Sequence, residues 1–153
     1  MNFKKTLLAG FVATLAMTIL MFIAPMMGMP KMDIAAMLGG MLGGGMPEAF
    51  SGSWLMGMLI HLVNGIVIFP LIFGFLLYGR LPGAPLAKGM IWGLVLWLLA
   101  QVMVMPMMGA GFFAGNTPQP LLTVFGSFMG HVIYGAVLGL IYGPQPAAQP
   151  RMA

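Results

Sequence analysis

The sequence predicts an all-α integral membrane protein, a four-helix bundle that forms a single domain. Of its 153 residues, 61% are hydrophobic and only 5% are charged. A soluble domain carries about 25% charged residues, so this chain has too few of them to cover a surface that faces water. It contains four apolar stretches, and each is long enough for the ~20-residue helix that crosses a ~30 Å hydrocarbon core. We therefore expect one transmembrane domain over residues 1–153.

The four predicted spans cover residues 7–29, 54–78, 89–109 and 121–143. The first follows Lys4 and Lys5, a pattern that also precedes the apolar core of a signal peptide. This span is longer than the core of about 7–15 residues in signal peptides, and no A-x-A-like cleavage site follows it. We interpret it as a retained helix. A long loop at residues 30–53 joins the first two spans, and a tail rich in Pro and Gln follows at residues 144–153.

The long loop contains one further helix signal. Asp33 is placed to cap a short helix that begins at Ile34. Several glycines that should break this helix follow it: Gly39, Gly40, Gly43, Gly44 and Gly45. We expect the short helix to lie on the membrane surface or to dock on a partner.

The charged residues predict an orientation. One side of the four spans receives five of the six basic residues: Lys4, Lys5, Arg80, Lys88 and Arg151. Lys31 falls on the other side, together with both acidic residues, Asp33 and Glu48. The positive-inside rule then places both termini in the cytoplasm of a bacterial or archaeal cell, with the spans in the inner membrane. So small a basic excess is a topology signal, and we expect no nucleic-acid partner.

Two segments recur along the chain and predict an internal repeat. Pro25-Met26-Met27-Gly28 near the end of the first span returns as Pro106-Met107-Met108-Gly109 near the end of the third. A His-x-x-x-Gly segment in the second span, from His61 to Gly65, returns in the fourth from His131 to Gly135. The sequence thus favours two tandem helical hairpins, related by a pseudo-twofold axis along the membrane normal.

The two histidines are the first candidate site, because an ionisable side chain inside a membrane is costly. Each belongs to a stripe of small residues spaced by four: Gly57, His61 and Gly65 in one span, and Ser127, His131, Gly135, Gly139 and Gly143 in the other. One interpretation is a close-packed interface in which each imidazole bonds to a neighbouring helix. The alternative is haem b held between His61 and His131, because haem iron takes imidazole ligands and bundles build cofactor sites on facing helices.

Two other groups of residues are candidates for binding. Met26, Met27, Met107 and Met108 close the first and third spans, and their thioethers would suit the entry of copper as Cu(I). The opposing interpretation is that methionine fills irregular apolar gaps. Near the membrane midplane, Thr18, Asn64 and Gln101 join His131 as buried polar residues, either as a polar substrate site or as contacts between helices.

Several functional classes are disfavoured. No Asp or Glu lies within a span, whereas proton- or sodium-driven carriers usually need such a charge. The sequence lacks a G-x-S-x-G elbow, an H-E-x-x-H motif, a Walker loop and any paired carboxylates, so we expect no enzyme. Cysteine is absent, which excludes disulfides, thiolate metal sites and cysteine nucleophiles.

The stretch from Gly10 to Thr18, GFVATLAMT, together with His-x-x-x-Gly in the second span, resembles small uncharacterised four-helix membrane proteins of bacteria and archaea. The resemblance covers mainly the first two spans. It implies a four-span fold, and it transfers no functional residue.

The sequence predicts a non-catalytic protein with no required cofactor. Its partners would be the lipid bilayer and other membrane subunits, as a small subunit or assembly partner of a larger complex such as a respiratory one. The first alternative is a bis-histidine haem b electron-transfer protein. The second is a permease for a metal ion or a small solute.

Overall fold

The computed structural model describes residues 2–143, so the predicted tail at residues 144–153 and Arg151 within it lie outside the described residues. The described part is all-α and contains no strand. Its five principal helices are α1 (Phe3–Met27), α2 (Ile34–Gly43), α3 (Gly52–Leu77), α4 (Pro85–Met107) and α5 (Pro120–Tyr142). All except α2 are long and apolar enough to cross a membrane. The four-helix prediction is confirmed at this level.

The long helices begin a few residues earlier than the apolar stretches do. The side chain of Asn2 accepts a hydrogen bond from the Lys5 backbone N–H at 3.2 Å, so the helix includes the polar residues before residue 7. Helix α4 likewise begins at Pro85, because proline is favoured at the first position of a helix. Hydropathy located the apolar part of each helix, whereas the caps set its actual start.

The four long helices form an open bundle. Helix α1 packs against α3 on one side and against α5 on the other, and α5 also packs against α4. Helices α3 and α4 face each other across the fourth side, where for example the rings of Phe69 and Trp92 meet edge to face at 6.4 Å between centroids. We name the end of the bundle that carries α2 the α2 end, and the opposite end, which carries Phe3 and Tyr142, the terminal end.

Helices α4 and α5 are in contact through their backbones. A Cβ at Gly89 would overlap the carbonyl oxygen of Gly135, and one at Gly93 would overlap that of His131. A Cβ at Gly139 would overlap the carbonyl of Pro85. Each helix thus contributes a Gly-x-x-x-Gly pair to one close crossing. The packing interpretation of the α5 stripe is therefore correct for Gly135 and Gly139, whereas Gly143 lies beyond this crossing.

Glycines also bring α1 and α2 onto α3. The missing side chain of Gly65 makes room for the hydroxyl of Thr14 on α1. The missing side chain of Gly57 makes room for the carbonyl oxygen of Ala35 on α2. The predicted α3 stripe is therefore shared between two neighbours, because α2 covers its first turns and α1 covers its middle.

Helix α2 begins as predicted but continues further. Asp33 caps it, since its Oδ1 accepts the backbone N–H of Ala36 at 2.9 Å, and both carboxylate oxygens also accept the Nε1–H of Trp54 at 3.1 and 3.2 Å. The expectation that Gly39, Gly40 and Gly43 break the helix was wrong, because the helix extends through Gly43. They lie inside it because a Cβ at Gly39 would overlap the Ser53 carbonyl, so glycine is required for this helix to dock on α3. The break comes at residues 44 and 45, where φ is 72° and 87°.

Helix α3 departs from regular α geometry in two segments, Asn64–Ile68 and Ile72–Leu77, which are wound as π-helix. In the first, the N–H of Phe69 bonds the carbonyl of Asn64, five residues back. The next residue, Pro70, has no N–H to give to Gly65. The hydroxyl of Tyr134 on α5 supplies the missing donor at 2.7 Å. Tyr142 similarly donates to the carbonyl of Gly74, in the last turn of α3, at 3.0 Å.

The two Pro-Met-Met-Gly segments end in the same cap, although the turn before it is a 3-10 helix at Ala24–Met27 and an α-helix at Met105–Met107. Gly28 and Gly109 both have left-handed φ values, 84° and 79°. Each glycine N–H bonds the proline carbonyl three residues back, at 3.2 Å for Gly28 and 3.0 Å for Gly109. The following residue in each case bonds the carbonyl five residues back, at 3.2 and 3.0 Å. Helices α1 and α4 therefore end in the same cap.

Candidate functional site

A cavity of about 170 Å³ lies between the helices in the half of the bundle nearer the α2 end. All four long helices line it, and Ile34 and Leu38 of α2 contribute to its wall. The terminal half contains instead a packed aromatic cluster of Phe73, Tyr78 and Tyr142 with ring centroids 4.6 to 5.7 Å apart. The open half is the one that can accept a ligand.

Both predicted histidines line this cavity, His61 from α3 and His131 from α5. These two helices lie diagonally opposite in the bundle, because α1 packs between them. The structure therefore brings the two imidazoles to one space from opposite sides. That placement is what a shared ligand would need.

The hydrogen bonds of His131 define its tautomer. Its Nδ1 lies 2.7 Å from the carbonyl oxygen of Ser127, one turn earlier in α5. A carbonyl oxygen only accepts, so Nδ1 carries the hydrogen and donates it. In the neutral ring the lone pair is then on Nε2, which is left free of this bond.

Ser127 and His131 also resemble a nucleophile and its base, because Ser127 Oγ lies 3.5 Å from His131 Nδ1. General-base catalysis would need an unprotonated nitrogen facing that hydroxyl. Since Nδ1 already donates to the Ser127 carbonyl, it has no lone pair with which to accept the hydroxyl proton. This geometry does not activate Ser127.

His61 has a partner on another helix. Its Nε2 lies 3.3 Å from the hydroxyl of Thr18 on α1. A threonine hydroxyl both donates and accepts, so either tautomer of His61 is satisfied. Its Nδ1 has no hydrogen-bond partner among the described residues. In each histidine, therefore, one ring nitrogen is hydrogen-bonded within the protein and the other is available to a ligand.

The predicted polar residues surround the cavity in two separate groups. Thr18 bonds His61, whereas Gln101 on α4 donates from Nε2 to Ser127 Oγ at 3.0 Å. Asn64 lines the cavity between them. The hydrogen bonds among the described residues do not join these groups into one cluster, because α1 bonds across to α3 while α4 bonds to α5.

Two polar atoms near this cavity have no hydrogen-bond partner among the described residues. They are Oγ1 of Thr14, which lines the cavity, and Oε1 of Gln101, whose amide bonds the cavity-lining Ser127. Both side chains are almost fully buried, with exposures of 2% and 0%. An unpaired buried polar atom costs about 1–3 kcal/mol. A polar ligand or solvent in the cavity would recover that cost at Thr14.

A second cavity of about 300 Å³ adjoins the first at the α2 end, between α1, α5 and the segment that follows α1. Met21, Met32 and Gly126 line both cavities. The second is lined mainly by apolar side chains, and five of its residues are methionines: Met21, Met27, Met29, Met32 and Met129.

The four methionines predicted as a copper entry are not brought together. Met27 lines the second cavity and Met108 lines the first. Met26 and Met107 are 87% and 64% exposed on the outside of the bundle. In each turn the two adjacent methionines point to opposite sides of the helix. Met26 and Met107 therefore face outward, whereas Met27 and Met108 face a cavity. The methionines that do converge lie earlier in α1 and in the segment before α2.

Sequence reasoning missed three further features of the site. Met17 and Met21 face the cavity from α1, and their i, i+4 spacing could have indicated a shared face. Tyr134 also lines the cavity, and it lies three residues after His131. The contribution of α2 had no sequence signal, because only the docking of Gly39 on α3 places Leu38 at the wall.

The electrostatic field in the cavity comes from the dipoles of neutral polar groups. Among the described residues, no charged side chain lines it. Of the five described basic residues, all except Lys31 lie towards the terminal end. There Lys88 donates to the Tyr78 carbonyl at 2.8 Å and lies 4.5 Å from the centre of its ring. Any ligand would therefore be bound by imidazole, hydroxyl, amide and thioether groups.

Comparison with known proteins gives one family match. No curated protein and no solved structure matches the chain. The model of a family of unknown function, DUF6789, matches residues 2–151, which is nearly the whole chain. The resemblance to an uncharacterised family is thereby confirmed, and the chain belongs to the DUF6789 family of unknown function.

Proposed function

We propose that this is a non-catalytic, multi-pass membrane protein that binds a small ligand inside its bundle. The observation that carries the proposal is that His61 and His131, on diagonally opposite helices, line one cavity and each keep a ring nitrogen free. Only His61 bonds a neighbouring helix, through Thr18, whereas His131 bonds within its own helix and faces the cavity. The absence of carboxylates from the lining, and the proton on His131 Nδ1, argue against hydrolytic chemistry.

The proposed ligand reaches the cavity from the α2 end. The second cavity adjoins the first there, while the aromatic cluster closes the terminal end. The distribution of basic residues supports placing the α2 end outside, with the amino terminus in the cytoplasm of an inner-membrane protein. Access would then be from the outer side.

Cysteine labelling tests this access directly, because the natural chain has no cysteine. Single variants His61→Cys and Met108→Cys would be exposed to a cationic, membrane-impermeant methanethiosulfonate in right-side-out vesicles. Such reagents attack the thiolate, which forms in water and hardly at all in hydrocarbon. We expect both variants to react from the outer side.

Leu59→Cys is the matched control. It lies on the same helix as His61, is 52% exposed and does not line the cavity. We expect it to stay unlabelled because its surroundings are lipid. The proposal fails if both cavity variants stay unlabelled, or if all three react at the same rate.

The haem alternative is less well supported by this geometry. The cavity of about 170 Å³ is smaller than the ~300–1,000 Å³ pockets that hold larger ligands. His61 Nε2 already bonds Thr18, and no cationic side chain lines the cavity to receive haem propionates. A reduced-minus-oxidised spectrum with a b-type band, lost in His131→Ala, would restore this alternative.

We also propose that the two hairpins, α1 with α3 and α4 with α5, arose by duplication. The identical caps at Gly28 and Gly109 and the shared cavity of the two histidines support this. The halves would have diverged, since α1 packs closely on α5, whereas α3 and α4 meet more loosely through side chains such as those of Phe69 and Trp92. An experimental structure in which the hairpins do not superpose about an axis near the membrane normal would contradict the duplication.

A role as a subunit of a larger membrane complex, such as a respiratory one, is the second candidate. It is favoured by large apolar side chains exposed at the α2 end, in turns and loops beyond the helices: Met46, Phe50 and Phe112, with exposures of 68%, 76% and 67%. Phe50 is held there at a φ of 64°, which non-glycine residues seldom adopt. Such a surface fits another apolar membrane subunit.

Native electrophoresis of membranes in mild detergent tests the subunit role. We expect a band well above the monomer, shifted to the monomer position by Phe50→Ser with Phe112→Ser. Phe3→Ser at the terminal end is the control and should leave the band in place. A wild-type chain that migrates as a monomer would rule this role out.

A further inference from the structure

We infer that the ligand is a soft monovalent metal ion, Cu(I), bound by methionine sulfur and histidine nitrogen where the two cavities meet. The inference rests on the proposed function, because it identifies the ligand class of the same site. Of the four methionines at the helix ends it keeps Met27 and Met108, which line the cavities, and adds six others.

The first observation is the convergence of sulfur. Eight methionines line the two adjoining cavities: Met17, Met21, Met27, Met29, Met32, Met105, Met108 and Met129. Met21 and Met32 belong to both linings and so lie at the junction. Thioether sulfur and imidazole nitrogen are ligands that suit Cu(I), whereas oxygen ligands suit hard cations.

The second observation is that Gly126 and Gly130 leave space on α5 for some of these methionine side chains. The position of a Cβ at Gly126 is 3.2 Å from Met29 Cε and 3.6 Å from Met32 Sδ. The corresponding position at Gly130 is 3.3 Å from Met17 Cε and 4.0 Å from Met17 Sδ. Small residues on α5 thus let three methionines approach the helix that carries His131.

The third observation concerns the histidines. A metal-ligating histidine usually bonds its second ring nitrogen to a protein oxygen, which fixes the ring and the tautomer. His131 does this with the Ser127 carbonyl at 2.7 Å, and His61 with the Thr18 hydroxyl at 3.3 Å. Both rings therefore have the hydrogen-bonding arrangement of metal ligands.

The neutral charge of the lining residues favours a monovalent ion, and hence copper as Cu(I). The lining carries no anionic side chain, so a bound cation keeps its full charge in a low-dielectric space. The cost of transferring an ion out of water rises with the square of its charge, and is about fourfold greater for a divalent ion. A neutral donor set therefore favours Cu(I) over Zn²⁺ or Mg²⁺.

Competition titration under anaerobic conditions tests the inference, with the full-length protein in nanodiscs and a chromophoric Cu(I) chelator. We expect one tight Cu(I) equivalent in the wild type and no comparable Zn²⁺ binding. Met21→Leu combined with Met32→Leu should weaken Cu(I) binding about tenfold or more, because leucine keeps the volume and removes the sulfur. His131→Ala should weaken it similarly. X-ray absorption at the copper edge should show both sulfur and nitrogen neighbours.

The matched controls are Met56→Leu and Met90→Leu, which line neither cavity and should bind Cu(I) as the wild type does. The inference is overturned if Cu(I) does not bind, if Zn²⁺ binds as tightly, or if the double variant equals the controls. Loss of binding in Met26→Leu with Met107→Leu instead would move the site to the helix ends and overturn it as well. Cavity cysteines that label normally while Cu(I) fails to bind would reject the metal and leave the proposed function standing.

Discussion

The close crossing of α4 and α5 predicts that Gly135→Ala destabilises the bundle. The new Cβ would overlap the carbonyl oxygen of Gly89 and lie 3.0 Å from the Cα of Gly93. Carbon atoms pack best about 3.5–4.0 Å apart, so the helices must separate by about 0.5–1 Å. All of these neighbours are backbone atoms, so no side chain can rotate away.

Such overpacking typically costs about 1–3 kcal/mol. The separation would also strain the crossing at the carbonyl of His131, against which Gly93 packs. We expect a loss of free energy of unfolding of about 2 kcal/mol, near the middle of that range. The loss should be larger than any gain from the better helix propensity of alanine, which is at most about 1 kcal/mol.

Unfolding in mixed micelles with increasing dodecyl sulfate measures this change through tryptophan fluorescence. Trp92 and Trp97 both lie on α4, so they report on its contact with α5. Gly52→Ala is the control, because a Cβ there meets nothing within 4 Å. If Gly135→Ala unfolds at the wild-type midpoint, or if Gly52→Ala is equally destabilised, the backbone-contact reasoning is refuted.

Three further predictions follow from other contacts. Tyr134→Phe leaves the buried Gly65 carbonyl without its donor and should cost about 1–3 kcal/mol in the same unfolding assay. Pro70→Ala restores a backbone N–H near that carbonyl, so Tyr134→Phe should cost less in the Pro70→Ala background; an unchanged cost would contradict the role assigned to the proline. Asp33→Ala removes the cap of α2, worth about 1 kcal/mol, and should speed hydrogen exchange across residues 34–43 about fivefold. Glu48→Ala serves as its control, and equal exchange in the two variants would disprove the capping effect.

Hydropathy and end signals were enough to predict the elements of this fold. The four spans, the cap at Asp33 and the shared ends at Gly28 and Gly109 all depend on residues close in sequence, so local patterns revealed them. The length of α2 was not predictable in this way. Gly39 and Gly40 weaken a helix in isolation. Glycine is favourable there only because Ser53 approaches Gly39 and the Gly45 carbonyl approaches Gly40.

The site was predicted only in part for the same reason. His61 and His131 stood out because each is rare in its local setting. The converging methionines did not, since Met21 on α1 and Met32 in the segment after α1 line the same cavities only through tertiary packing, in which Met32 meets Gly126 of α5. Gln101 was recognised as buried, but its pairing with Ser127 depends on the α4–α5 crossing, which glycine spacing indicated without assigning partners.

The bond between Tyr134 and the Gly65 carbonyl also constrains the order in which the protein can be completed in a cell. The two residues are 69 positions apart, and α3 is synthesised and inserted well before α5. Until α5 packs on α3, that carbonyl lacks its donor, and within a membrane no water would replace it. The hairpin of α1 and α3 would therefore be a biosynthetic intermediate with an unpaired backbone carbonyl. An insertase or a membrane protease could recognise that group. Once α5 has packed in place, Tyr134 supplies the missing hydrogen-bond donor.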